Sequence, residues 1–268
     1  MSKHFSEEHQ AFRRTVKNFV EKELAPNADQ WELDETFPDW VFKKAGDLGI
    51  HGAHFTEEQG GLGGDYWFSV AKGEEYAGIN AAGIGMGLLV QSDMATPCIA
   101  DLGTKEQIEE FLKPALAGDK IAALGVTEPD AGSDVAGIRT TAKRDGDDYI
   151  INGAKTYITN ATRASFITLL CKTDPDAGYN GISIILLPTD TKGFHVSKKL
   201  KKLGNHSSDT AELHFDNCRV PARYLLGEEG KGFYYLMQNF QTERLVGSVT
   251  TIEGCQRALD RSVAYGRD

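Results

Sequence analysis

Three apolar runs, at 149–153, 165–171 and 181–187, follow one another with only turn-prone stretches between them. They are rich in isoleucine, leucine and aromatic side chains, which pack well on a pleated surface. Parallel neighbours need a crossover of about a dozen residues or more, commonly a helix, and these gaps do not read as helices. Arg144-Asp145-Gly146-Asp147-Asp148, just before the first run, is a hairpin turn. Phe194-His195-Val196 and the stretch 211–215 add two shorter strands. The middle of the chain is therefore expected to be an antiparallel β-barrel or sandwich.

The flanks have another texture. Phe12, Val16, Phe19, Val20 and Leu24 recur at helical spacing until Pro26 ends the pattern. Residues 40–48, 68–77 and 81–99 continue in the same way, and Thr104 with Gln107 is a capping-box start for a helix ending near Leu116. Gly60-Gly61-Leu62-Gly63-Gly64 follows no convincing βαβ strand and reads as a turn rather than a phosphate loop. From Gly232 the helical period returns and runs to the last residue. The expected fold class is α+β and multi-domain. An N-terminal helical domain covers 1–118, a middle β-domain 119–228, and the first helix of an incomplete C-terminal helical bundle 229–268.

A net charge of −10 argues against a nucleic-acid or anionic-membrane binder, either of which needs a basic surface. No apolar run approaches the ~20 residues of a membrane span. The N-terminus lacks the apolar core of a secretory signal, so a cytoplasmic location is the expectation. Cys98, Cys171, Cys218 and Cys255 are scattered without a CxxC pair, and His51 and His54 have no carboxylate–histidine cluster beside them. Neither a disulfide framework nor a metal site is expected.

Two segments carry chemistry. Gly125-Val126-Thr127-Glu128-Pro129-Asp130-Ala131-Gly132-Ser133-Asp134-Val135-Ala136-Gly137 combines small residues, which let backbone N–H groups approach a ligand, with hydroxyl donors at Thr127 and Ser133. Further on, Lys155-Thr156-Tyr157-Ile158-Thr159-Asn160 places an aromatic ring two residues before a threonine, so strand alternation puts Tyr157 and Thr159 on one face. Hydroxyl donors beside an aromatic ring suit a planar heteroaromatic cofactor. On the last helix, Phe233, Leu236, Met237 and Phe240 form an apolar stripe that reaches Glu243, Arg244 and then Gly247. A carboxylate on such a stripe must be paired, protonated or poised in a site.

The spacing and context of these segments resemble the acyl-CoA dehydrogenase family, whose order of helices, β-domain and further helices also matches the whole chain. The resemblance implies FAD as cofactor. Leu124, Val126, Thr127, Gly132 and Ser133 would supply the first flavin segment, and Tyr157, Ile158 and Thr159 the second. Tyr157 stands where tryptophan is common in the family. Ser133, Gln241 and Arg244 are the implied substrate contacts. Glu243 matches the base of the branch that includes isovaleryl- and long-chain-type members; other members carry it later in the chain. The runs 91–97, 208–211 and 240–245 are similar to citronellyl-CoA dehydrogenases. The three lysines of 199–202 and their surroundings read as a solvated surface ahead of CoA-phosphate binding.

The implied reaction is α,β-dehydrogenation of an acyl-CoA thioester to a trans-2-enoyl-CoA, as in fatty acid β-oxidation. An electron-transferring flavoprotein or similar acceptor would take the electrons, and the full-length protein would be a homo-oligomer, dimer or tetramer. The resemblance also implies roughly another hundred residues of helical domain beyond this chain. The rival readings are a flavin monooxygenase or oxidase on the same scaffold, and a non-catalytic subunit that binds an acyl-CoA or a partner.

Overall fold

The computed structural model describes residues 4–267. Eight α-helical stretches come first: α1 (Glu7–Phe19), α2 (Ala28–Leu33), α3 (Trp40–Asp47), α4 (Tyr66–Tyr76), α5 (Ala82–Leu89), α6 (Pro97–Leu102), α7 (Lys105–Gln107) and α8 (Lys113–Leu116). Several are extended by single wider turns, as at Val20–Leu24 and Val90–Ala95. Ser6 starts α1 by accepting the His9 N–H, and the apolar positions Phe12, Val16 and Phe19 are buried. The capping box at Thr104 and Gln107 is present. Gln107 also donates from Nε2 to the carbonyls of Arg223 and Leu225, both at 2.8 Å, which ties the helices to the end of the β-region.

Strands β1 (Ala122–Gly125), β2 (Thr141–Asp145), β3 (Asp148–Thr159), β4 (Phe166–Lys172), β5 (Ile182–Pro188), β6 (Phe194–Lys199), β7 (Thr210–Pro221) and β8 (Leu225–Leu226) follow. They form one sheet in the order β6-β7-β3-β2-β4-β5-β8, with β1 added against β4. Most neighbours are antiparallel, and β2 and β3 are joined by the expected hairpin at Gly146. Two contacts are parallel, β1 with β4 and a single pairing of β2 with β4. The middle region is thus the expected β-domain, bent rather than closed.

The last helix, α9 (Gly232–Tyr265), binds the two halves together. Its Leu236 belongs to the core formed by the sheet and the helices around 95–116, while its Val246 belongs to the core of the N-terminal helices. The stretch between them, which carries Glu243, therefore spans the seam. Cys98, Cys171 and Cys218 are buried and Cys255 is exposed, all four unpaired. Among the described residues no group of His, Cys, Asp and Glu could hold a metal ion. No helix among them is long and apolar enough to cross a membrane.

Candidate active site

The first segment leaves the end of β1 and turns at Glu128, whose N–H donates to the Ala131 carbonyl at 2.9 Å. The Glu128 side chain turns inward and accepts from the Arg139 N–H at 2.5 Å, the Thr140 N–H at 3.0 Å and Lys155 Nζ at 2.8 Å. Lys155, fully buried on β3, donates also to the Val126 carbonyl at 2.8 Å. The Thr156 N–H reaches the Thr127 carbonyl at 2.9 Å. Burial pushes the Glu128 carboxyl up, but the Lys155 ammonium and the surrounding donors outweigh it, so the group lies below its ordinary pKa. This buried pair stitches the two segments into one surface.

Strand alternation fails at that surface. The pairing of β3 with β7 shifts register between Lys155 and Ile158, and Tyr157 takes a positive φ of 59°. Such a bulge re-aims side chains, and it brings Tyr157, Ile158 and Thr159 to one cavity together. Alternation would have sent Ile158 to the other face. The Tyr157 ring is 69% exposed, standing off the sheet rather than packing into the core.

The cavity holds about 510 Å³. Leu124, Val126, Thr127, Gly132 and Ser133 line it from the first segment, opposite the three residues of the bulge. At Gly132 an added Cβ would meet no atom within 4 Å, so backbone faces open space there. The hydroxyls of Thr127, Ser133 and Thr159 have no protein partner among the described residues and are available to a ligand. From α9 come Phe240, Glu243 and Arg244. Gln241 does not join them. It is exposed, because two residues along a helix turn the side chain by roughly 200° from Glu243.

Glu243 brings a carboxyl to the cavity wall. Its Oε2 is buried without a hydrogen-bond partner among the described residues. Burial lifts its carboxyl to a pKa of about 6, against a smaller lowering by Arg244. The Arg244 guanidinium lies 5.6 Å from the Phe240 ring centroid.

Sequence reasoning missed one wall. Met86, Val90 and Met94 face the cavity from α5 and the wider turn after it. Their i, i+4, i+8 spacing was a signal, but an all-apolar helix does not announce which face meets a ligand. Val135, just after the first segment, completes the lining.

Comparison with known proteins gives a consistent result. The family profile described as acyl-CoA dehydrogenase, N-terminal domain, matches residues 6–119, and that of the acyl-CoA dehydrogenase middle domain matches residues 123–218. The chain is 42% identical over 265 residues to the mitochondrial long-chain specific acyl-CoA dehydrogenase of Rattus norvegicus, covering 98% of this chain and 61% of that relative. It thus spans about three-fifths of that protein's length. Among solved structures, a probable acyl-CoA dehydrogenase from Mycobacterium abscessus superposes with a TM-score of 0.95 at 41% identity, over 98% of this chain and 70% of that one. A glutaryl-CoA dehydrogenase from Mycobacterium smegmatis in complex with FADH2 gives 0.89 at 33% identity, over 97% and 66%.

Proposed function

As the chain belongs to the acyl-CoA dehydrogenase family, we propose that its cavity is the site of FAD-dependent α,β-dehydrogenation of an acyl-CoA thioester, with Glu243 as the base. The observation that carries this reading is the half-buried Glu243, whose Oε2 is buried without a hydrogen-bond partner among the described residues, in the same cavity as both proposed cofactor segments. A general base works best with a pKa near the operating pH, and burial brings Glu243 to about 6.

The residues present fit a flavin. The Tyr157 ring, the open cradle at Gly132 and the hydroxyls of Thr127, Ser133 and Thr159 offer a stacking surface and edge donors. Bound there, FAD would supply the acceptor for the β-hydrogen as hydride. Glu243 would take the α-proton on its free Oε2. A carboxylate is too weak a base for an unactivated α-proton, so donors to the thioester carbonyl must stabilise developing negative charge. The apolar wall of Met86, Val90 and Met94 keeps water from that side.

In this reading residues 1–118 and 119–228 are the helical and β-domains that enclose the site, and 229–268 delivers the base. Electrons would leave to an electron-transferring flavoprotein or similar acceptor, and the assembly would be a homo-oligomer. The placement of Glu243 favours dehydrogenation over a monooxygenase; an oxidase would share the base and differ in a rapid reaction of its reduced flavin with oxygen.

Glu243→Gln tests the assignment, because it keeps size and polarity but removes the basic oxygen. The variant should retain FAD and acyl-CoA binding while anaerobic flavin reduction slows by roughly 10²–10⁴-fold. A near-wild-type reduction rate would remove Glu243 from the chemistry, and a correctly folded protein that cannot take up FAD would remove the cofactor.

A further inference from the structure

Phe240, Glu243 and Arg244 turn one face of α9 to the cavity, while Asn239 and Thr242 turn another to a separate polar chamber of about 180 Å³. His54, Tyr66 and Asp93 line that chamber with them. Residues three and four apart share a helix face, so the two sets flank one and the same stretch of α9. The side of the helix away from the proposed reaction is therefore met by polar groups.

Two hydrogen bonds tie α9 to its neighbours there. Tyr66, at the start of α4, donates from its hydroxyl at 2.9 Å to the carbonyl of Thr242, the residue just before Glu243. The buried Asn239 donates from Nδ2 to the Met94 carbonyl at 3.0 Å. That carbonyl belongs to the wide turn Val90–Ala95, whose last carbonyls need donors from outside; Thr168 Oγ1 serves Ala95 in the same way, at 2.7 Å. The turn is held to α4 in its own right, because the buried Lys72 donates to Asp93 Oδ2 at 2.7 Å and to Ser92 Oγ at 3.0 Å. Helix α4, the wide turn and α9 thus close a ring of polar contacts. Glu243 itself has no comparable hold: no hydrogen bond or ion pair among the described residues fixes its carboxyl, whose Oε2 is buried without a partner. At Gly247, one turn on, an added Cβ would meet nothing within 4 Å, so that side of the helix is unbraced as well.

We infer that Tyr66 and Asn239 are positioning residues for the proposed base: holding α9 from its far side, they set how far the Glu243 carboxyl reaches into the cavity. The inference rests on the reading of Glu243 as the base. A general base acts only within hydrogen-bond reach of its proton, and misplacement by ~1 Å can cost about 10²-fold in rate. A side chain with no hydrogen bond of its own takes its place from the backbone beneath it. A bond to the carbonyl of the preceding residue acts directly on that place.

Tyr66→Phe removes one hydroxyl and keeps the ring; Asn239→Leu keeps the size and removes the donor. Each is made alone and in the Glu243→Gln background. The readouts are anaerobic flavin reduction by a saturating acyl-CoA, binding of FAD and acyl-CoA, and amide hydrogen exchange along α9. With Glu243 present, each variant should slow flavin reduction about 10-fold, part of the ~10²-fold that a displacement of ~1 Å costs. Both affinities should stay nearly unchanged, and exchange should speed up over 239–246 but not over α1. In the Glu243→Gln background neither variant should slow the remaining rate further, because no base is left to place. A merely structural role would lower the rate alike in both backgrounds; that result, or unchanged rates in both variants, overturns the inference. Tyr66→Phe, the milder change, decides alone should Asn239→Leu not fold. If Glu243→Gln by itself reduces flavin at near the wild-type rate while both variants still speed exchange over that turn, the base reading falls and the hold on α9 stands.

Discussion

At the scale of single residues, the partial burial of Glu243 carries a cost. Its carboxyl titrates at about 6 in the folded protein against an ordinary 4.5, so the fold binds that proton more tightly than the unfolded chain does. Below pH 4.5 both states are protonated and nothing is lost. As pH rises from 4.5 to about 6 the unfolded chain ionises first, and the folded state loses stability that stays lost above that window. The penalty is about 2 kcal/mol at roughly 1.36 kcal/mol per pKa unit. Glu243→Gln should therefore be more stable than the wild type by about 1–2 kcal/mol at neutral pH, with the gap closing at more acid pH. Thermal unfolding of both proteins across that range checks it; a gap that does not vary with pH would mean the carboxyl is not desolvated. Gly132 and Tyr157 show the opposite economy, an open backbone and an exposed ring that pack against little of the protein.

Among the elements, the junction of the segments 125–137 and 155–160 depends on Lys155 and Glu128. Both are buried; Lys155 satisfies the Val126 carbonyl of the first segment, and Glu128 accepts from the Arg139 and Thr140 N–H groups that follow its own segment. Lys155→Met would leave the Glu128 carboxylate in the interior without its cation and should cost about 3–5 kcal/mol, as breaking a buried pair does. Adding Glu128→Gln to that variant should recover part of the loss, since an amide keeps an acceptor for one of the two N–H groups, Arg139 or Thr140, without a bare charge. Denaturant midpoints of the single and double variants decide this, and a double variant less stable than Lys155→Met would show that the charge itself is not the problem. The bulge on β3 is a second device at this scale. It was hidden from strand alternation because one extra residue in a register leaves no mark in composition. The capping box at Thr104 and the hairpin at Gly146 were visible because their chemistry is local.

For the whole molecule, buried ion pairs place the acid limit of the fold. Asp93 is pushed up by burial and pulled down further by Lys72, at 2.7 Å, so that it lies below its ordinary value of 3.8. Glu128 likewise lies below 4.5. Depressed carboxyls contribute stability that is present above their unfolded values and lost as pH falls through the folded ones. Stability should begin to fall below pH about 6.5, where burial keeps His51 and His54 neutral while the unfolded chain takes up protons, and fall further as the buried carboxyls protonate. Added salt should shift this little, because buried groups are weakly screened. Circular dichroism against pH at low and high sodium chloride would show it. A midpoint that moves strongly with salt would place the acid sensitivity on the exposed charges behind the net −10 instead.

The contiguous parts of the protein could be read in the chain itself: a β-region between helical flanks, the segments 125–137 and 155–160 that meet at one cavity, and Glu243 on an apolar stripe. Each rests on neighbours a few residues apart, where propensity, turn chemistry and periodicity act directly. Packing alone decided the rest. It selected Met86, Val90 and Met94 as a cavity-facing wall from a helix that is apolar nearly all round, and set Glu243 against the same cavity. Those outcomes depend on where α5 and α9 meet. That meeting is set by side chains well over a hundred residues apart in the chain, such as Asn239, which donates to the Met94 carbonyl at 3.0 Å. No local pattern encodes so distant a contact, because it is the sum of both cores closing around one helix.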